Sequence, residues 1–235
     1  LRLQKEKSAI VKNGGKIVFT ESPLKSSTEI INKSFSYIFD SKLQKFLSTK
    51  NKHKLLNDTI KSLQKAKNLK ALIMGDAIID QYDSVTPLNK PPKESILATR
   101  YNKSDIFLGG VFAAATNLSQ FNNNVEICTV IGKDRDIKKK INNFAKKIKS
   151  KIFIEKDKVT VRKKRLVEAG YNKKLSEVYY MDDDFLSTSN QKKISQYLNK
   201  NLNRFDVVIV IDYGHGFLNQ EIYKTLLKKS KFLAI

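Results

Sequence analysis

The 235 residues carry 45 Lys and Arg against 23 Asp and Glu, a formal net charge of +22 at pH 7, and 40% of them are hydrophobic. A chain of this length buries a full core and holds one domain or a little more. No apolar run approaches the ~20 residues that a helix needs to span a bilayer, and the single cysteine, Cys128, rules out an internal disulfide.

The lysine excess points first to a nucleic-acid ligand. The lysines are spread over most of the helical segments, however, opposite apolar faces, where solvated lysines belong. There is no Trp, no C-x-x-C set and no stacking motif, and charge alone supports only non-specific affinity. Nucleic-acid binding is therefore not expected as the main role. Cys128 sits within an apolar run and reads as a small core residue in a reducing compartment, the cytoplasm.

The chain opens on Leu1, not Met, and its start is read as other than a natural one. Lys16–Thr20 is expected to be a short strand, followed by a turn at Pro23 and a helix from about Ser26. Ser26 and Glu29 have capping-box spacing. Residues Ser26, Ser27 and Thr28 either cap that helix or turn hydroxyls and amides toward a phosphate; the residues alone favour the cap. Residues 41–70 read as helix, a break near Lys50–Lys54, and helix again, with Leu43, Phe46, Leu47, Leu55, Ile60, Leu63 and Ala66 as the apolar positions.

Ala71–Met74 is a short buried strand running into Gly75-Asp76-Ala77-Ile78-Ile79-Asp80-Gln81-Tyr82. Two aspartates at a strand end can hold sugar hydroxyls or a cation, or cap a turn. Pro87, Pro91 and Pro92 exclude a helix next, and Ile96–Phe107 reads as extended. Gly109-Gly110 then precedes an Ala-rich helix, Val111 to Phe121. Paired glycines there allow close approach of a ligand to the backbone, or simply a tight turn.

Val125–Ile131 is another buried strand. Asp134 is expected to cap the following helix, which carries Ile137, Ile141, Phe144 and Ile148. A short strand follows at Ile152–Ile154. Val159–Glu168 and Leu175–Met181 flank Gly170-Tyr171-Asn172 as a β-ribbon, whose Arg162, Lys163, Lys164 and Arg165 face an anionic ligand or solvent. Asp182-Asp183-Asp184 reads as a solvated turn, with a cation site as the alternative. A helix from about Asn190 to Leu202 leads to Val207–Ile211, five consecutive β-branched residues suited to a strand buried on both faces. Asp212, Gly214, His215 and Gly216 form the turn after it. A helix after Asn219 places Ile222, Tyr223, Leu226 and Leu227 on one face, and Lys231–Ile235 starts a further strand.

This alternation implies an α/β fold, a mainly parallel sheet with helices on both faces, with the two extended excursions set outside it as a small β lid. Buried strand, glycine turn and helix mark the strand ends where such sheets bind ligands.

GDAIIDQY at Gly75–Tyr82, the Gly109–Gly110 pair, VIGKD at Val130–Asp134 and DYGHG at Asp212–Gly216 together resemble the ribokinase or PfkB sugar-kinase family. The nearest branch is the heptose kinase type, fused to a nucleotidyltransferase in bifunctional enzymes of ADP-heptose synthesis. The segment VRKKRLVEAGYNKKLSEVYYMDD resembles the lid of that branch. GGKIVFTESPLKSSTEIIN resembles the end of a cytidylyltransferase-like domain, although the H-x-G-H motif that opens such a domain is not in the sequence. The resemblance implies a nucleotidyltransferase remnant over 1–40 with Ser26, Ser27 and Thr28, a helical linker over 41–69, and the N-terminal part of a sugar kinase domain, incomplete at its C-terminus, over 70–235.

By the same resemblance Asp80 holds sugar hydroxyls, with Asp76 a weaker candidate. Gly109 and Gly110 admit the sugar, Arg162 and Arg165 belong to the lid, and Asp212, Gly214, His215 and Gly216 lie near the transferred phosphate. His215 stands where the family pattern D-Y-x-K-G has lysine, and Ala113 and Ala114 occupy the region of a family asparagine. The family's catalytic aspartate lies in a G-A-G-D motif, which these residues do not contain; it is expected beyond Ile235, which makes the chain an internal piece of a longer protein. ATP and Mg²⁺ are the implied cofactors and a sugar or sugar phosphate the implied substrate. A homodimer through the lid is a possible assembly, and no membrane is involved. The rival readings are a catalytically inactive kinase-like binding module and, less favoured, a basic nucleic-acid binder.

Overall fold

The computed structural model describes residues 8, 11–15, 41–49, 52–88, 96–182 and 184–235. The expected strand at Lys16–Thr20, the helix from Ser26, the residues Ser26, Ser27 and Thr28, and also Pro91, Pro92 and Asp183 lie outside the described residues. The chain divides into two units, Leu1–Asp58 and Thr59–Ile235. The first contains α1 (Ser41–Thr49), and the division falls within α2 (Lys52–Ala66).

The second unit is built on β1, which runs without interruption from Lys70 to Pro87. The short strand expected at Ala71–Met74 is thus only the start of an 18-residue one. Its first part pairs in parallel with β3 (Asn124–Ile131) on one side and β7 (Val207–Ile211) on the other. β4 (Lys149–Ile154) extends the sheet beyond β3, and β8 (Leu233–Ala234) beyond β7, both in parallel. The body is therefore an all-parallel sheet in the order β4-β3-β1-β7-β8.

From Ala77 onward β1 leaves this sheet and joins a second one. There it pairs antiparallel with β2 (Thr99–Gly110) and parallel with β5 (Val161–Glu168), which pairs antiparallel with β6 (Lys174–Tyr180). These four strands are the expected lid. One strand thus belongs to both sheets, so body and lid share a covalent and hydrogen-bonded spine.

Both faces of the body are covered, as the five-residue β-branched run requires. Leu72, Met74, Val208 and Val210 pack with Ile194, Leu198, Ile222 and Leu226 of α5 (Thr188–Asn201) and α6 (Gln220–Lys229). Ile73, Ile127, Ile209 and Ile211 pack on the opposite side with Val111, Phe112 and Ala115 of α3 (Val111–Leu118) and Ile141 of α4 (Lys138–Ala145). Side chains alternate along each strand, so a continuous apolar run feeds both layers. In α6 only Ile222 and Leu226 are buried, while Tyr223 and Leu227 are 41% and 58% exposed, so the buried stripe is narrower than the sequence implied.

Local chemistry explains the ends. Asn219 accepts a bond from the Ile222 amide at 2.8 Å and caps α6, and Ser187 does the same for α5 from Asn190. The cap expected from Asp134 is not made. α4 begins after Ile137 without a side-chain cap, because the Asp134 carboxylate accepts from the Thr160 amide at 3.1 Å and from its hydroxyl. Thr160 lies in the loop that carries the chain from the body into β5.

Among the described residues no helix is long and apolar enough to cross a membrane. Cys128 is fully buried, and burial pushes its thiol well above the ordinary range.

Candidate sugar site at the strand ends

The C-terminal end of β1 in the body sheet, the turn after β7 and one face of the lid meet around two aspartates. Asp76 is 4% exposed. Its carboxylate accepts from the amides of Tyr213 at 2.7 Å and His215 at 3.4 Å, and so pins the turn that follows β7. Burial raises its pKa above the usual carboxylate value, against the pull of those two amides. Asp76 therefore works as the anchor of the 212–216 turn. In that turn Asp212 accepts from the Gly214 amide at 3.0 Å, and Gly214 and Gly216 both have positive φ, 79° and 85°.

Asp80 lies four residues further along β1 and is half-buried. Its Oδ1 accepts from Arg165 Nη1 at 2.6 Å. Arg165 also pairs with Glu177 at 2.6 Å, donates to the Tyr82 hydroxyl at 3.2 Å and lies over the Tyr82 ring, 5.1 Å from its centroid. Burial acts to lower the Arg165 pKa, but the bond to Asp80 and the neighbouring charges prevail and hold it above its usual value. Arg165 is a fixed cation that orients Asp80.

The other oxygen of Asp80 explains Gly109. A Cβ at residue 109 would collide with Asp80 Oδ2, so the missing side chain leaves the carboxylate its place. Gly110 serves the backbone: it has φ 57°, and a Cβ there would run into the Asp76 carbonyl. The pair is not a free turn. Gly109 and Gly110 are the last residues of β2, in register with Ile78 and Ala77, and α3 starts directly after them.

The lid arginines part company. Arg162 lies one residue from Lys163, so alternation places it on the opposite face from Asp80. It donates to Gln81 at 3.0 Å and Asp136 at 2.9 Å, and these bonds depress the Asp136 carboxyl below its usual range. Lys164 shares that face and pairs with buried Asp83 at 2.9 Å. Arg162 thus braces the lid, whereas Arg165 reaches the site. Sequence reasoning missed Tyr82 and Glu177; the period-two spacing of Arg165 with Lys163 on β5 was the available signal.

Asp182 accepts from the Asp184 amide at 3.0 Å and lies 3.5 Å from Lys158 Nζ, while Lys158 also donates to the Asp184 carbonyl. Among the described residues no group of three or more His, Cys, Asp or Glu side chains is placed to hold a metal.

A parallel α/β body and a lid grown from the same strand, with a carboxylate at their junction, make a ribokinase-like α/β fold. The chain superposes on a Staphylococcus aureus protein assigned as a phosphofructokinase with a TM-score of 0.52, covering 70% of this chain and 52% of that one at 14% identity, a likeness of fold. No protein-family model matches. In sequence the chain is similar to the bifunctional protein HldE of Aliarcobacter butzleri, 26% identical over 159 residues, 66% of this chain and 33% of that protein. It is likewise similar to HldE of Trichlorobacter lovleyi, 27% identical over 161 residues, 68% of this chain and 32% of that protein. The resemblance named from the sequence is thus borne out: the HldE proteins match it in sequence, and the sugar-kinase neighbour in fold. The chain spans about a third of the length of the curated relatives it matches.

Proposed function

We propose that this chain is the sugar-holding part of an ATP-dependent sugar or sugar-phosphate kinase in nucleotide-sugar synthesis, fused to a nucleotidyltransferase and working in the cytoplasm. The observation that carries the reading is Asp80, oriented by Arg165 and given room by Gly109 at the junction of lid and body. An ionised carboxylate accepts bonds from two sugar hydroxyls, and charge-assisted bonds of this kind fix orientation. Phosphoryl transfer depends mainly on positioning and charge stabilisation, so a residue that fixes the acceptor hydroxyl contributes directly to rate.

Asp76 sets the turn 212–216 against the end of β1, and the lid closes over the sugar and excludes water. Mg²⁺-ATP, when bound, supplies the phosphoryl group and neutralises its charge. The glycine turn fits the phosphate side of such a ligand, and Mg²⁺, which usually binds through few carboxylates and the nucleotide's phosphates, would be held largely by those phosphates. The proton acceptor belongs to the G-A-G-D motif, which is not among these 235 residues. A second copy is proposed to pack on the lid's far face, where Val178 and Tyr180 are each 48% exposed.

The test is phosphoryl transfer from ATP to a panel of sugars and sugar phosphates by the protein that carries this chain. Asp80→Asn is expected to lower kcat/KM by about 100-fold, the loss of one to two charge-assisted bonds. Unchanged transfer in that variant would sink the reading. A second reading, an inactive binding module, draws on His215 in the lysine position and on Ala113 and Ala114 near the glycines; sugar affinity without any transfer identifies it.

A further inference from the structure

The basic run on β5 is not uniform. Arg162 lies 2.8 Å from Asp136, Lys164 2.9 Å from Asp83, and Arg165 2.6 Å from both Asp80 and Glu177. Lys163, between them, has no carboxylate within ion-pair distance among the described residues. Its ammonium lies instead over the rings of Tyr179 and Tyr213, 5.6 and 5.8 Å from their centroids.

Three further facts converge on this lysine. It is half-buried, and a partly desolvated charge with no counter-charge among the described residues is costly, with ring contacts offsetting only part of that cost. It is the register partner of Asp80 across the β1–β5 ladder, so both side chains project from one face of the lid. Tyr213, one of its two rings, belongs to the turn that Asp76 anchors. An anion that would pair with it is therefore sought at the mouth of that turn.

We propose that Lys163 is a phosphate-binding residue, which reaches from the lid to an anionic phosphoryl oxygen at the 212–216 turn. The proposal deepens the kinase reading and rests on it for the placement of substrate. It also identifies which of the four β5 cations the ligand meets. Arg162 and Lys164 face away and are neutralised, and Arg165 is occupied in orienting Asp80.

The test is titration calorimetry of inorganic phosphate into the full-length protein and its variants. Lys163→Met is expected to weaken binding about tenfold or more, the cost of one charge-assisted contact, and Lys163→Arg to restore most of it. Lys149→Met, at the opposite end of the body strands and paired with Glu126 at 3.3 Å, is expected to bind as wild type. Should Lys163→Met fail to fold by far-UV melting, Lys163→Gln replaces it. Two further arms assign the source of the phosphate. A loss seen with ATP but not ADP identifies the transferred group, and a loss seen with a phosphorylated but not a neutral sugar identifies the sugar's own phosphate; both support the contact. Phosphate binding that is undetectable in wild type, or equal in wild type and Lys163→Met, overturns it. Lys163-dependent phosphate binding in a protein that transfers no phosphoryl group to any sugar leaves the contact standing and removes the kinase reading alone.

Discussion

Arg165 Nη1 lies 2.6 Å from Asp80 Oδ1, while Oδ2 of the same carboxylate occupies the space that a side chain at residue 109 would take. One oxygen is thus committed to the lid and the other is held over a glycine, so the ion pair is an orienting device as well as a bond. Replacing Arg165 by Met leaves Asp80 and Glu177 as neighbouring carboxylates without their shared cation. The expected cost is about 1.5–3 kcal/mol, read from urea unfolding. An unchanged unfolding midpoint and slope would show that the pair contributes nothing.

The two glycines are predicted to fail differently. Gly109→Ala pushes on a side-chain oxygen, so it should displace Asp80 and lower sugar affinity by about tenfold or more, with stability changed by less than about 1 kcal/mol. Gly110→Ala pushes on the Asp76 carbonyl from a residue at φ 57° and should cost about 1–3 kcal/mol of stability. Thermal unfolding and sugar titration on both variants separate the two; equal profiles would contradict the distinct roles.

The far face of the lid predicts an acid-dependent contribution to stability. Burial acts to raise the Asp83 pKa, but hydrogen bonds from Ser104 at 2.7 Å and Gln81 at 2.9 Å, together with Lys164, outweigh it and leave the group below its usual value. A depressed folded pKa means that the unfolded chain binds the proton more readily. The stabilisation is then fully present above the unfolded value of about 3.9 and is lost as pH falls through the lower folded one. In unfolding midpoints measured from neutral pH downward, Asp83→Asn should show a shallower acid decline than wild type. Parallel declines in the two proteins would refute the pairing as a source of acid sensitivity.

Much of the fold was legible because burial imposes periodicity. The uninterrupted run at Val207–Ile211 required a strand covered on both faces, and Val208 and Val210 pack to one side while Ile209 and Ile211 pack to the other. The element order and the separate lid were legible for the same reason. The extent of β1 was not, since Asp76, Asp80 and Asp83 interrupt the apolar pattern and each needs a partner from elsewhere in the chain. Asp134 was misread because capping propensity is local, whereas Thr160 reaches its carboxylate from 26 residues away.

The sequence by itself determined the class of fold and the short list of groups around the strand ends, because hydrophobic spacing, glycine pairs and acidic residues are local properties of the chain. Only the tertiary structure decided what each group does. Asp76 is consumed by the turn at Tyr213 and His215, Asp80 is oriented by Arg165, Arg162 turns to the far face, and Lys163 lies over the rings of Tyr179 and Tyr213. The roles of Asp80, Arg162, Lys163 and Arg165 depend on the register of β1 against β5 and on which face each side chain takes, and a shift of one residue would exchange them.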